Sequence, residues 1–105
     1  MEEREFESLA DATLKRIEDA LDACGADIDY EVRPGGIIEI TFDDGSQIVI
    51  NRHLVAREIW VAARSGGTHF RPEGNRWVGT RDGGELMAAL SRCISEQMGK
   101  TVTLG

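Results

Sequence analysis

The sequence contains little cysteine and no long apolar run. Its 105 residues include two cysteines, Cys24 and Cys93, which stand far apart without a CxxC pair or a histidine at zinc-ligand spacing. This pattern excludes a zinc finger and a disulfide scaffold. No apolar run approaches the roughly 20 residues that cross a bilayer, so we expect no contact with a membrane. Residues 1–5 match neither a secretory signal nor a transit peptide, and we therefore expect a cytoplasmic protein.

Motifs of catalysis are also missing. The sequence has no GxSxG, HExxH, P-loop or GxGxxG motif. His53 and His69 are isolated along the chain, and an isolated surface histidine seldom has a special role. Cys24 follows a strongly acidic segment, whereas a nucleophilic cysteine needs a base and positive surroundings. We therefore expect that the protein is not an enzyme.

Negative charge is concentrated in the first third of the chain. The formal net charge is −7, yet residues 1–31 alone carry eleven acidic and three basic residues, and residues 32–105 are close to neutral. Charge of this sign repels a phosphate backbone, so we expect no binding to nucleic acid. It fits a basic protein surface or metal cations, which a negative field attracts. The alternative is that the acids only keep the protein soluble.

Hydrophobic periodicity predicts a helix, an antiparallel meander and a second helix. Apolar residues recur every three or four positions over residues 4–24, and again from the capping-box-like Asp82 and Glu85 to Gly99. Between the helices, alternation predicts strands at about residues 28–32, 38–42, 48–51, 58–63, 68–71 and 76–79. Every element has one apolar face. We predict a single α+β domain over residues 1–105, a two-layer sandwich with the N- and C-terminal helices on one face of an antiparallel sheet.

The other face of the sheet is predicted to meet solvent or a partner. Alternation places Asn51 and Trp60 on this outer face. An exposed tryptophan is a common anchor of protein interfaces. The alternative is that Trp60 wraps over a sheet edge and is simply covered. Trp77, in a short strand, is predicted to lie in the core.

Carboxylates of the first helix and first strand are the best candidates for metal ligands. On the helix, several acids fall on one stripe beside the apolar face. The connection through Gly25-Ala26 is short, which predicts that the strand acids approach this stripe. Oxygen ligands suit hard cations, and without an enclosing loop such sites are open, weak and mostly hydrated. We call the predicted ligands the acidic ridge: Glu7, Asp11, Glu18, Asp19, Asp22, Asp27, Asp29 and Glu31.

Short motifs run along nearly the whole chain, starting in the acidic first helix. They are Leu9-Ala10-Asp11, Ile17-Glu18-Asp19, Asp27-Ile28-Asp29, Ile40-Thr41-Phe42, Gly45-Ser46, Ile50-Asn51-Arg52, Ile59-Trp60, Ser65-Gly66-Gly67, His69-Phe70 and Trp77. This series resembles the frataxin family, and most closely its bacterial members. The resemblance implies an α–β-sheet–α sandwich, weak binding of Fe²⁺ or Fe³⁺ on the acidic ridge, and a role in iron–sulfur cluster assembly. It also implies two partners, a cysteine desulfurase and an iron–sulfur scaffold protein.

We therefore interpret the chain as an iron-handling partner or regulator of cluster assembly. The predicted contacts are Glu18, Asp19 and Asp22 for the desulfurase, and Asn51, Arg52 and Trp60 for the scaffold protein. The alternative is an acidic adaptor in which metal binding is incidental. An iron-storage or ferroxidase enzyme is disfavoured because the sequence indicates no buried set of carboxylates and histidines. We expect a monomer, with iron-dependent oligomers as an alternative.

Overall fold

The computed structural model describes residues 2–104. The elements over this range are α1 (Glu3–Ala23), β1 (Asp29–Arg33), β2 (Ile37–Thr41), β3 (Gln47–His53), β4 (Glu58–Ala63), β5 (Gly66–Glu73), β6 (Arg76–Gly79) and α2 (Leu86–Met98). The six strands form one antiparallel sheet in which each strand pairs with its neighbours in sequence. The predicted order of helix, meander and helix is confirmed.

The core lies between the sheet and the two helices. In both helices most buried residues recur every three or four positions, and in the central strands every second side chain is buried. These side chains form one cluster, which includes Phe6, Ile17, Ile38, Ile40, Ile48, Ile50, Ile59, Phe70, Leu86, Leu90 and Ile94. The fold is therefore the predicted two-layer α+β sandwich. Within residues 2–104, neither helix combines the length and the apolar character needed to cross a bilayer.

Trp77 lies in the core, as predicted. Its side chain is only 3% exposed, and its ring packs edge-on against Phe6 with the ring centroids 5.9 Å apart. Its indole Nε1 donates a hydrogen bond to Thr13 Oγ1 at 2.7 Å. A buried indole needs such an acceptor, because an unpaired polar group in the core is costly. This contact joins β6 to α1 across the layers.

Strand register decides which side chains are neighbours on the outer face of the sheet. Trp60 on β4 stands opposite Asn51 on β3 and opposite His69 on β5. Glu58, also on β4, stands opposite His53 on β3. These positions alternate with buried residues on their strands, so their side chains point away from the helices. The centre of the outer face therefore gathers polar and aromatic side chains around Trp60.

The start of the second helix differs from the prediction. Glu85, rather than Asp82, is the N-cap of α2, and its carboxylate accepts a hydrogen bond from the Met87 amide at 3.1 Å. Asp82 instead accepts from the Gly84 amide at 2.9 Å, within the turn before the helix. Both residues have capping chemistry, and the turn geometry decides between them. The predicted end of the helix at Gly99 is confirmed by its left-handed φ of 74°.

Three segments at the margins of the fold also differ from the prediction. β5 runs from Gly66 to Glu73 and is longer than the predicted segment 68–71. The tail after α2 is not a loose end, because Val102 and Leu104 are buried in the core. Val32, at the end of the predicted strand 28–32, is 54% exposed because β1 is an edge strand.

Candidate functional site

The helical part of the acidic ridge lies along one side of α1. Asp11, Asp19 and Asp22 are exposed, whereas Glu7 and Glu18 are half-buried at the border of the core. The last turn of α1 contains no basic residue. Negative side chains near a helix C-terminus also face the negative end of the helix dipole. Neither the helix dipole nor a basic residue of the last turn therefore offsets the negative charge at the end of α1.

Three of these carboxylates have a partner within the chain. Asp19 Oδ1 pairs with Lys15 Nζ at 3.1 Å, a hydrogen bond that raises the pKa of Lys15. Asp11 pairs with Arg52, which comes from β3. Asp22 Oδ1 accepts a hydrogen bond from the Tyr30 hydroxyl at 2.7 Å. All three contacts lie at the surface, where such pairs contribute little to stability.

The Tyr30 bond joins the last turns of α1 to β1. The hydrogen bond to Asp22, with smaller contributions from burial and from nearby carboxylates, raises the pKa of Tyr30 to about 12. The ionised phenol would lose its hydrogen-bond donor and would face negative charge on Asp22. The predicted approach of the first strand to the helical stripe is therefore made by Tyr30 rather than by the strand carboxylates.

The strand acids form a separate group. Asp29 and Glu31 alternate with Tyr30, so they leave β1 on the side away from α1. Asp27 and Asp29 instead line a cavity of about 260 Å³ together with Asp43 and Asp44 of the turn between β2 and β3. The structure thus divides the acidic ridge into two groups. The helical group is Glu7, Asp11, Glu18, Asp19 and Asp22, and the strand group is Asp27, Asp29 and Glu31.

Asp43 and Asp44 were not among the ligands predicted from the sequence. Asp44 Oδ1 accepts hydrogen bonds from the Ser46 hydroxyl at 2.6 Å and from the Ser46 amide at 2.9 Å, and Arg64 lies 2.9 Å from its other oxygen. The Ser46 bonds and then Arg64 lower the pKa of Asp44 to about 2. The carboxylates of Asp43 and Asp44 were the feature of the sequence that could have indicated a second role. The pairing of β2 with β3 places their turn beside the strand group.

No metal-binding cluster is preformed in the part of the chain that the structure describes. Over residues 2–104, no three histidine, cysteine, aspartate or glutamate side chains form a group that could hold a metal ion. The eight ligands of the acidic ridge therefore stay a prediction.

Trp60 is the centre of three stacked rings, which we call the tryptophan stack: His53, Trp60 and His69. The ring centroids of His53 and Trp60 are 3.9 Å apart with 13° between the planes, and those of Trp60 and His69 are 4.2 Å apart with 7°. The indole Nε1 donates a hydrogen bond to Glu58 Oε1 at 2.8 Å. Trp60 is half-buried on the outer face, and not covered at a sheet edge. Sequence reasoning assigned no role to either histidine.

Asn51 and Arg52 have different surroundings. Asn51 is half-buried beside Trp60 on the outer face, and its side-chain amide donates to the Arg52 carbonyl at 3.4 Å. Arg52 follows the alternation of Ile48 and Ile50 and turns towards the helices, where it pairs with Asp11. The structure therefore brings Asn51 and Trp60 together but does not place Arg52 with them.

Comparison with known proteins agrees with the geometry. The model of the frataxin-like domain matches residues 1–100. The chain belongs to the frataxin family. The iron-sulfur cluster assembly protein CyaY of Dechloromonas aromatica (strain RCB) is 53% identical to it over 104 residues, which cover 99% of each chain. The predicted resemblance to bacterial frataxins is thus confirmed.

Solved frataxin structures share the fold. The frataxin of Psychromonas ingrahamii superimposes with a TM-score of 0.90 at 30% identity, covering 98% of this chain and 97% of that one. A trimeric frataxin from the yeast Saccharomyces cerevisiae, complexed with ferrous iron, gives a TM-score of 0.67 at 25% identity, covering 95% and 88%. The sandwich of two helices on one antiparallel sheet is therefore the frataxin fold.

Proposed function

We propose that this member of the frataxin family handles iron for iron–sulfur cluster assembly and regulates the assembly complex, without being an enzyme itself. The main support for the proposal is the 53% identity, over 99% of both chains, to a relative named for iron–sulfur cluster assembly. The yeast frataxin complexed with ferrous iron supports iron as the cargo. The missing catalytic motifs support a carrier or regulator.

Iron binds weakly on the acidic ridge in this proposal. One or two carboxylates hold Fe²⁺ or Fe³⁺ at a time, and water completes the coordination, because most of the ridge is exposed and it carries only hard oxygen ligands. Binding at Asp11, Asp19 or Asp22 competes with the partners that these residues already hold. Weak, exchangeable binding suits a protein that passes its metal on.

The same carboxylates attract a cysteine desulfurase. A dense negative surface speeds the approach of a basic patch and orients it before contact. The contacts proposed here are Glu18, Asp19 and Asp22. Because metal and partner use one surface, iron and the desulfurase should weaken each other's binding.

The outer face of the sheet contacts the scaffold protein. Trp60 and Asn51 lie side by side there, and a half-buried tryptophan surrounded by polar groups has the character of an interface hot spot. This surface carries the tryptophan stack, while the helical part of the acidic ridge lies on α1 in the other layer. One molecule can therefore bind the desulfurase and the scaffold protein at the same time.

An acidic adaptor is the second candidate. It is favoured by the partners that Asp11, Asp19 and Asp22 already hold within the chain, since these give the carboxylates a role without metal. The two candidates differ in one respect: only the iron-handling protein couples its metal to desulfurase binding.

Titration of the ¹⁵N-labelled protein with Fe²⁺, without oxygen, tests the proposal. Resonances of residues around Glu18 and Asp22 should shift or broaden first, and the desulfurase should displace the metal from them. A Glu18→Gln, Asp22→Asn variant should lose these changes, whereas the control Glu73→Gln, Glu96→Gln should keep them.

Two results would contradict the proposed handling of iron. Shifts centred on His53 and His69 would remove the acidic ridge as the iron site. Desulfurase binding that is unaffected by iron would favour the adaptor.

A further inference from the structure

Trp60 is restrained at each group that a free indole offers to a partner. His53 covers one ring face at 3.9 Å and His69 covers the other at 4.2 Å. The indole N–H is used by Glu58 at 2.8 Å. A change of rotamer would break all three contacts at once. The side chain is therefore held in one orientation before any partner arrives.

The groups that hold Trp60 are themselves fixed. His53 Nδ1 accepts a hydrogen bond from the Ala56 amide at 3.2 Å, so the neutral ring carries its proton on Nε2. His69 stands directly opposite Trp60 in the register of β4 and β5, and its Nδ1 lies 3.5 Å from the same Glu58 oxygen that binds the indole. Glu58 is only 21% exposed, whereas His69 is 49% exposed, so the bond from Glu58 to the indole is the better shielded of the two contacts. Four side chains are thus linked by stacking and by the Glu58 carboxylate.

We propose that His53, His69 and Glu58 are positioning residues that order Trp60 as a docking anchor, so that Trp60 meets its partner only through the edge of its indole. The inference rests on the proposed function, which takes Trp60 as the anchor for the scaffold protein. With its faces and its N–H occupied, Trp60 cannot stack on an aromatic ring or a guanidinium of the partner. The surface it fits is a narrow groove on the scaffold protein that is apolar where it meets the indole edge and offers hydrogen-bonding groups to the imidazole edges on either side.

The advantage of this arrangement is a smaller entropy loss on binding. Ordering one side chain at an interface weakens affinity by a factor of about two to ten. In the tryptophan stack the Trp60 side chain is already ordered in the free protein, so its conformational entropy is lost during folding and not on binding. A variant that keeps Trp60 but removes the two imidazoles should bind more weakly, because Trp60 must then be ordered on binding.

The first measurement needs no partner. Hydrogen exchange of the indole N–H of Trp60 should be faster by roughly tenfold or more in His53→Ala, His69→Ala, because two ring pairs are lost. The double variant His53→Phe, His69→Phe keeps both stacked rings but loses the contacts of the imidazoles with Ala56 and Glu58, so its exchange rate should lie closer to the wild type than to the alanine variant. Trp77, which is buried and bonded to Thr13, is the internal reference, and its N–H exchange should not change. Unchanged exchange at Trp60 in the alanine variant would overturn the inference.

The second measurement is the affinity for the purified scaffold protein. The alanine variant should bind about two- to tenfold more weakly, and the phenylalanine variant should regain most of the lost affinity. Failure of phenylalanine to restore affinity would overturn the inference, because imidazole N–H groups rather than stacking would then be responsible. If Trp60→Ala leaves affinity unchanged, the scaffold contact of the proposed function fails as well. If Trp60→Ala weakens binding and the alanine variant does not, only the positioning role fails.

Discussion

The helical part of the acidic ridge and the tryptophan stack are surfaces of opposite kinds. The ridge carries charge of one sign, and its aspartates are exposed and hold partners through single surface contacts. In the stack, His53 and Trp60 are half-buried and His69 is exposed, and the two flanking rings and a hydrogen bond to Glu58 hold the central residue. One surface is exposed and charged, and the other is ordered and aromatic.

This difference predicts two ways of binding. Attraction between charges acts before contact and tolerates imprecise geometry, so it changes association rates. A hot spot acts after contact and needs a fixed shape, so it changes dissociation rates. Substitutions on the two surfaces should therefore differ in kinetics and in salt dependence.

Tyr30, like Arg52, is a sheet residue that contacts the helical part of the acidic ridge, and its ionisation should show the largest change. Asp22→Ala should lower the pKa of Tyr30 from about 12 towards the ordinary value of about 10, by up to a hundredfold in the acid constant, since burial and the charges of Glu18 and Asp19 remain. Because Tyr30 is the only tyrosine, tyrosinate absorbance reports it alone.

The same bond predicts a pH dependence of stability. The folded pKa of Tyr30 is raised, so its contribution is complete below pH about 10 and is lost as pH rises through about 12. Asp19→Ala, which removes a neighbouring carboxylate but not this bond, is the control. An unchanged Tyr30 titration in Asp22→Ala would mean that Asp22 is not bonded to β1 through Tyr30.

Trp60→Ala should have the next largest effect. Loss of a hot-spot residue costs about 2 kcal/mol or more, so the affinity for the scaffold protein should fall about 30-fold. The change should lie in a faster dissociation rate with little salt dependence, while Fe²⁺ binding stays as in the wild type. Val55→Ala is a control for the loss of surface apolar area, since Val55 is 87% exposed. A loss confined to the association rate would contradict the assignment.

Glu18→Gln should have the smallest effect. Glu18 and Asp22 are like charges one helical turn apart, and removing one relieves a repulsion of a few tenths of a kcal/mol. Urea unfolding at low salt should show equal or slightly higher stability, and the difference should disappear at high salt. A clear loss of stability would show that Glu18 has a structural role.

Periodicity was sufficient to predict the layers of the fold. Alternation at Ile48 and Ile50 and the three-to-four spacing in α1 reflect burial on one face, which is a local property of the chain. The same alternation, continued by two residues from Ile50, would have turned Arg52 towards the helices. The buried tail residue Leu104 was not predictable, because a short segment has no period of its own.

The candidate sites were predicted in part. Asn51 and Trp60 were placed on the outer face by alternation alone. The stack was not foreseen, because His53 and His69 are far apart in sequence and only the registers of β3, β4 and β5 bring them to Trp60. The division of the acidic ridge depends on which face of β1 Tyr30 occupies, and charge counting carries no such information.

The central claim is that the helical part of the acidic ridge captures the desulfurase by long-range attraction. Association rates at low and high salt test it most directly, with Glu18→Lys, Asp19→Lys compared against Glu73→Lys, Glu96→Lys, which changes the net charge equally. At low salt the ridge variant should associate roughly tenfold more slowly than the control variant, and high salt should remove the difference. Equal rates for the two variants at low salt would contradict the claim, because net charge rather than the ridge would then govern association.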